Sequence, residues 1–228
     1  MTMLAHPLPE KGADTRERLL LTALHLYATE GLHAVSLRRI STEAGSKNSA
    51  AMHYHFQNKL GVVQALVELI ARELARIAAT LRPEQTANRS LRTACRDTLR
   101  PLVQLPARQR WGTDGVHFLS RLVSESDADI AEMVNRMFAP FWQRLDRTLQ
   151  QQLPDLPAPV RRLRLMFMST NVFHGVAEVA WLTHTPLGDL SHFDEDALLD
   201  HLVDYMIGGL QAPSFTAANP RHESAHND

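Results

Sequence analysis

Ala44-Gly45-Ser46-Lys47-Asn48-Ser49-Ala50-Ala51-Met52-His53-Tyr54-His55-Phe56-Gln57-Asn58-Lys59 is the stretch on which the reading of this 228-residue chain turns. Gly45 supplies a permissive turn, and a short helix is expected from Ser49 to His55. Met52 and Phe56, at i and i+4, anchor that helix. Lys47, Asn48, Ser49, His53, Tyr54 and His55 are left outward. Before it, Ser36 reads as the N-cap of a short helix with Leu37, Ile40 and Ala44 on one face, while Arg38 and Arg39 point elsewhere. Earlier still, a helix opens at Asp14 or Thr15 with Glu17 in its first turn. It repeats Leu20, Ala23, Leu24 and Tyr27 on one face and ends at Gly31. Helix, glycine turn, helix is the geometry that carries a recognition helix into a major groove.

The outward side chains have the size and hydrogen-bonding capacity for that task. Asn48 and Ser49 suit base edges or phosphates, and small Ala50 and Ala51 allow close backbone approach or contact with a thymine methyl. Tyr54 and His55 suit phosphates, Lys59 adds charge at the head of the next helix, and His53 shares the outward face. Ser36 and Arg38 complete the candidate DNA contacts. A second reading stays open, in which Tyr54 and His55 pack against the first helix.

Charge distribution supports the first reading. The net charge is −1, yet between Lys11 and Leu60 seven Lys or Arg face four Asp or Glu. A basic head on an acidic body fits neutralisation of a few phosphates per subunit and implies salt-sensitive binding.

The order Ser36-Leu37-Arg38-Arg39-Ile40-Ser41-Thr42-Glu43-Ala44-Gly45, followed by Tyr54-His55-Phe56-Gln57-Asn58-Lys59 and an apolar helix, resembles the head of the TetR family of bacterial transcription regulators. The resemblance covers about the first quarter of the chain. It departs between Gly45 and Phe56, where the chain is one residue longer than the common pattern. There Lys47-Asn48-Ser49-Ala50 replaces a Val-Ser-x-Gly-Thr turn, as in a sub-group with an Asn-x-Ser-Ala turn.

Outward from the head, residues 1–12 read as a disordered arm, with Pro7 and Pro9 and no apolar run of a secretion signal. Lys11 or Arg16 could brush the DNA backbone. Residues 13–60 form the helix-turn-helix head and 61–211 a ligand-binding and dimerisation body. Residues 212–228 are a polar tail expected to be disordered. From Asn58 to about Leu81, Leu60, Val63, Leu66, Val67, Ile70, Leu74 and Ile77 recur at three and four, so one helix belongs to both halves. Pro83 breaks it. The fold class expected is all-α throughout.

In the body, Ser90 caps a helix that Pro106 is expected to stop, and 109–124 forms another with Trp111, Phe118, Leu119 and Leu122 apolar. Ser126 or Asp127 caps a long helix to Leu153 that Pro140 should kink. Met133, Met137, Phe138, Phe141 and Trp142 around the bend are bulky and deformable enough to line a cavity. Trp111, Phe118 and Phe167 are placed with them as candidate pocket residues. Plain core packing remains the alternative for each.

The segment 160–183 is the longest apolar stretch, but Arg161, Arg162, Arg164, Asn171, His174 and Glu178 interrupt it, so it does not read as a membrane span. Asn171, His174 and Glu178 share one polar stripe, with Gly175 beside it. They either face the cavity or pair across a two-fold axis; a metal pair at His174 and Glu178 has too few ligands. The last helix, capped by Asp194, carries more apolar residues than one face needs.

The resemblance implies that 160–183 and 194–208 form a four-helix bundle with a partner copy, through Met168, Val172, Gly175, Val179 and Leu182 of the first and Leu198, Leu202, Tyr205 and Met206 of the second. It also implies double-stranded operator DNA as partner, a small-molecule effector and repression relieved by that effector. No cofactor or metal is expected. The one cysteine, Cys95, excludes an internal disulfide and fits a reducing cytoplasm. An enzyme of the helical body is a rival kept open by twelve histidines, against which stand the lack of His-Glu-x-x-His, a nucleophile elbow or a phosphate loop. A dimerising scaffold with a degenerate head is another.

Overall fold

The computed structural model describes residues 15–46, 50–80, 90–125, 127–182, 185–186 and 193–213, with the backbone alone for 180–182. Expectations for the arm at 1–12, for Lys47, Asn48 and Ser49, for the side chain of Leu182 and for the tail beyond 213 lie outside these residues. Nine helices and no strands make up the described chain: α1 Thr15–Glu30, α2 Leu37–Glu43, α3 Ala51–Phe56, α4 Lys59–Thr80, α5 Leu91–Arg108, α6 Gly112–Leu122, α7 Ala128–Gln152, α8 Ala158–Leu182 and α9 Glu195–Gln211. The all-α architecture is the one expected.

Local chemistry sets the boundaries. The Ser36 hydroxyl accepts from the Arg39 N–H at 3.2 Å and starts α2, Ser90 receives Thr93 N–H at 3.1 Å, and Asp127 and Asp194 cap α7 and α9. Each cap satisfies a backbone donor that a helix start leaves unpaired. Gly31, at φ +88°, closes α1.

α4 packs its front on α1 and α3 and its back on α5 and α7, burying Val63, Leu66, Ile70, Leu74 and Ile77. α5 lies at the centre of the body, against α4, α6, α7, α8 and α9. It does not stop at Pro106. It runs to Arg108 through both Pro101 and Pro106, and Gln109 N–H still bonds to the Leu105 carbonyl at 3.1 Å. An interior proline costs a helix about 3 kcal/mol, and packing against five helices, with Leu99, Pro101, Leu102, Val103 and Leu105 buried, offsets it. α7 likewise stays one helix past Pro140, which is exposed.

Ion pairs tie the outer helices. Arg96 on α5 reaches Asp200 at 2.7 Å and Asp196 at 3.1 Å on α9, and Arg92 pairs with Asp204. Arg161, itself buried, holds Asp146 on α7 at 2.6 Å. Cys95 is buried in the core, and burial pushes its thiol up to about 12. Among the described residues no helix is long and apolar enough to cross a membrane.

Candidate nucleic-acid interface

α2, the turn at Gly45 and α3 form the helix-turn-helix. Gly45 sits at φ +67°, which a side-chain-bearing residue adopts only at a cost. Ser46 N–H bonds to the Ser41 carbonyl at 2.9 Å and folds the turn back on α2. Met52 and Phe56 are buried as anchors, and so is Ala51, which the sequence left facing the duplex. With Ala51 turned inward, Ala50 is the exposed small residue at the start of α3.

The opposite side of α3 is bare. Tyr54 is 84% exposed, and a phenol ring this open is not packed on α1. His53 is exposed, and its Nδ1 lies 2.9 Å from the Gln57 carbonyl, which accepts from it. A neutral ring held this way presents Nε2 outward as an acceptor. His55 is half-buried with its ring edge-on to Tyr54 at 5.0 Å. Gln57, not singled out from sequence, is the residue that fixes His53. It is the non-glycine residue at positive φ, +64°, among those described.

Arg38 is exposed beside Ser36, whose hydroxyl is occupied by the α2 cap. Arg39 is held by Glu30, with Nη2 2.8 Å from Oε1. Lys59 departs from expectation: its ammonium turns inward and donates to the Leu32 carbonyl at 2.8 Å, fastening the start of α4 to the loop after α1. The corner between α3 and α4 is close-packed. A Cβ on Gly61 would stand 2.0 Å from the Phe56 carbonyl oxygen, while Asn58 Oδ1 accepts from Gly61 N–H at 2.9 Å.

The head joins the body through α6. Tyr27 of α1 stacks on Phe118 of α6 with centroids 6.3 Å apart. Arg121 donates to the carbonyls of Ala28 at 2.7 Å and Thr29 at 3.0 Å. His25 lies 3.1 Å from Asp114 and His33 3.2 Å from Glu125. On its other side α6 meets α8, where His117 donates to the Ala177 carbonyl at 2.7 Å and Ser120 Oγ lies 2.8 Å from His174 Nδ1.

The residues expected in one pocket are dispersed. Phe118 is fully buried at the joint to the head, and Trp111 is half-buried where α6 begins. Phe138, Phe141 and Trp142 do cluster, around Phe173 and Val172, but their rings fill the space: Phe138 and Phe173 stand 4.7 Å apart and about 30 Å³ is left. That is room for one water molecule. Met133 and Met137 are half-buried against this core. Phe167 and Asn171 are exposed on the outer side of α8, where they line a groove of about 460 Å³ with Tyr205 and Met206 of α9. His174 and Glu178 border a separate cleft of about 590 Å³ between α8, α6 and the loop after α1.

The residues expected at a dimer face differ in their burial within the chain. Met168 and Val172 are 3% and 1% exposed, turned into their own chain, and Met206 is buried as well. Gly175, Val179, Leu198 and Leu202 are half-buried. The apolar residues that α8 and α9 present outward are Leu163, Met166, Phe167 and Tyr205, each about half exposed or more. Among the described residues no cluster of side chains is suited to a metal ion.

Comparison with known proteins accords with this geometry. A family model described as bacterial regulatory proteins, tetR family, matches residues 19–66, and one described as tetracyclin repressor-like, C-terminal domain, matches 96–209. No curated protein matches the chain. Among solved structures, a TetR-family transcriptional regulator from Bordetella parapertussis aligns with TM-score 0.62 at 14% identity, over 88% of this chain and 98% of its own. AmtR from Mycobacterium smegmatis aligns with TM-score 0.59 at 19% identity, over 91% of each chain. FadR from Bacillus subtilis, solved in complex with stearoyl-CoA, aligns with TM-score 0.58 at 15% identity, over 84% of this chain and 97% of its own. Identities this low speak for the fold; the two family models, one over the head and one over half the chain, speak for descent. The chain belongs to the TetR family of bacterial transcription regulators.

Proposed function

We propose that this regulator is a homodimeric repressor that binds operator DNA through α3 and leaves it when a small molecule occupies the body. The observation that carries the DNA reading is the two-sidedness of α3: Ala51, Met52 and Phe56 are buried while His53 and Tyr54 are exposed, as is Arg38 on α2. In this reading Tyr54 and Arg38 meet phosphates. Ala50, His53 and His55 face the groove together with Lys47, Asn48 and Ser49. Ser36 positions the start of α2, and Lys59 orients the head from within.

Two copies joined through Leu163, Met166, Phe167 and Tyr205 would present two heads, which a pair of half-sites requires to stand about one helical turn of DNA apart. An effector acts by preferring the conformer whose head spacing is wrong, and its leverage equals its differential affinity for the two conformers. Support for an effector comes from the B. subtilis neighbour, solved with stearoyl-CoA. The test is selection of a bound sequence from random duplex DNA, followed by fluorescence anisotropy with wild type and Tyr54→Ala. Failure to select any sequence removes the regulator reading, and unchanged affinity in the variant removes the assignment of α3.

A further inference from the structure

On the side of the body that these roles leave unused, the end of α4, the start of α5 and the second half of α7 enclose a groove of about 490 Å³, within the size range of small-molecule sites. Its floor is apolar, from Ala78, Ala94, Phe141 and Leu145. Arg144 and Arg147 line it one turn apart on α7. The Arg144 guanidinium carbon lies 5.3 Å from the Phe141 ring centroid, and Arg147 donates to the Gln143 carbonyl of its own helix at 3.3 Å. Neither reaches a carboxylate among the described residues. Of the described residues lining the groove, Asp97 is the one acid, so the two guanidiniums leave it net positive.

Phe141 and Thr98 also border the small space inside the Phe138, Trp142 and Phe173 cluster. Phe141 therefore stands between a charged mouth and the aromatic interior of the body. A cavity in that interior is what the sequence led one to expect; a charged groove on the other side of Phe141 is what the structure adds.

The geometry points to this groove as the effector site and to the effector's class, an anionic head on an aliphatic tail. The head pairs with Arg144 and Arg147, whose planar forks match a carboxylate or a phosphate. The tail lies along Ala78, Ala94 and Leu145 and presses on Phe141. A cationic amphiphile of the same length meets two like charges at the mouth, and an uncharged one gains the apolar contact alone. The inference rests on the effector reading given above for what binding does, though not for whether binding occurs.

Calorimetry on the full-length protein with decanoate, decyl phosphate, decanol and decylamine, each below its micelle concentration, tests it. Decanoate or decyl phosphate should bind at least about ten-fold more tightly than decanol, and decylamine should not bind; which of the two anions is tighter identifies the head group. The double variant Arg144→Gln, Arg147→Gln replaces two exposed side chains and should lose that ten-fold preference while binding decanol as before. Equal binding of decylamine and decanoate, or unchanged decanoate binding by the double variant, overturns the inference. Operator anisotropy separates the two claims. Decanoate that binds through the arginines but leaves operator affinity unchanged upholds the groove and defeats effector relief; operator release by small molecules that the double variant does not alter does the reverse.

Discussion

The Arg121 guanidinium closes the end of α1, its Nε donating to the Ala28 carbonyl at 2.7 Å. The last carbonyls of a helix have no partner within it and carry the negative end of the dipole, so a cation from α6 placed there binds head to body by both hydrogen bond and charge. Arg121→Ala removes both contacts. Because the side chain is exposed, the loss of stability should stay near about 1 kcal/mol. Operator affinity should fall further than that, since the head loses its orientation. Thermal unfolding and operator anisotropy on the same variant measure the two effects.

Gly61→Ala should be far more damaging than an ordinary glycine replacement in a helix. The new methyl carbon would fall 2.0 Å from the Phe56 carbonyl oxygen, a backbone atom, so α3 and α4 must part. A loss of more than about 2 kcal/mol is expected. A melting temperature unchanged from wild type would show that the corner relaxes freely.

Arg38→Ala should weaken binding to every duplex alike. A phosphate contact carries no sequence information, and removing one should lower the slope of log affinity against log salt by about 1. Tyr54→Phe should weaken operator binding with no change in melting temperature, because the 84% exposed ring has little packing to lose. An affinity titration from low to high salt reads the first, and anisotropy with a melt the second.

Acid should loosen the α5–α9 contact. A hydrogen bond from Arg96, followed by the Coulombic pull of Arg96 and Arg92, holds the Asp200 carboxyl below its ordinary range. On α4, Arg76 does the same for Glu73. A carboxylate whose folded pKa is depressed contributes stability above its unfolded pKa, near pH 4, and loses it as pH falls through the folded value. Melting temperature should therefore hold above about pH 5 and fall below about pH 4. Asp200→Asn should flatten part of that fall.

In the proposed dimer, Phe167→Glu should separate the two copies. The side chain is 54% exposed on a face it shares with Leu163 and Met166, so a charge there is tolerated by the single chain but not by an apolar seam. Sedimentation should show one subunit, and operator affinity should collapse with it. A variant that stays dimeric would place the interface elsewhere.

Much of the head was legible because its signals are local. Ser36, Gly31 and Gly45 punctuate it, and Met52 and Phe56 anchor α3 as their spacing requires. Lys59 was not, since its partner is a backbone carbonyl 27 residues away and nothing in a lysine says which way it turns. In the body the helices and most of their caps were readable, but not their rotation. α8 carries Leu163, Leu165, Met166, Phe167, Met168, Val172 and Phe173 on almost every side, so periodicity cannot choose a face. The buried row proved to be Leu165, Met168 and Val172, with Met166 and Phe167 outside. Pro106 misled for a related reason: local cost pointed to a break, and contacts from five helices outweighed it. Phe118 looked like a pocket wall because a ring that stacks on a distant tyrosine and a ring that lines a void are the same residue type.

The sole sulfhydryl in the chain offers a clock. Cys95 stays protonated at any physiological pH and is shut away from reagents, so an alkylating probe can modify it only when α5 swings clear of its neighbours. The labelling half-life then follows how much of the chain is open, with no engineered tag, and any molecule that tightens the body lengthens it.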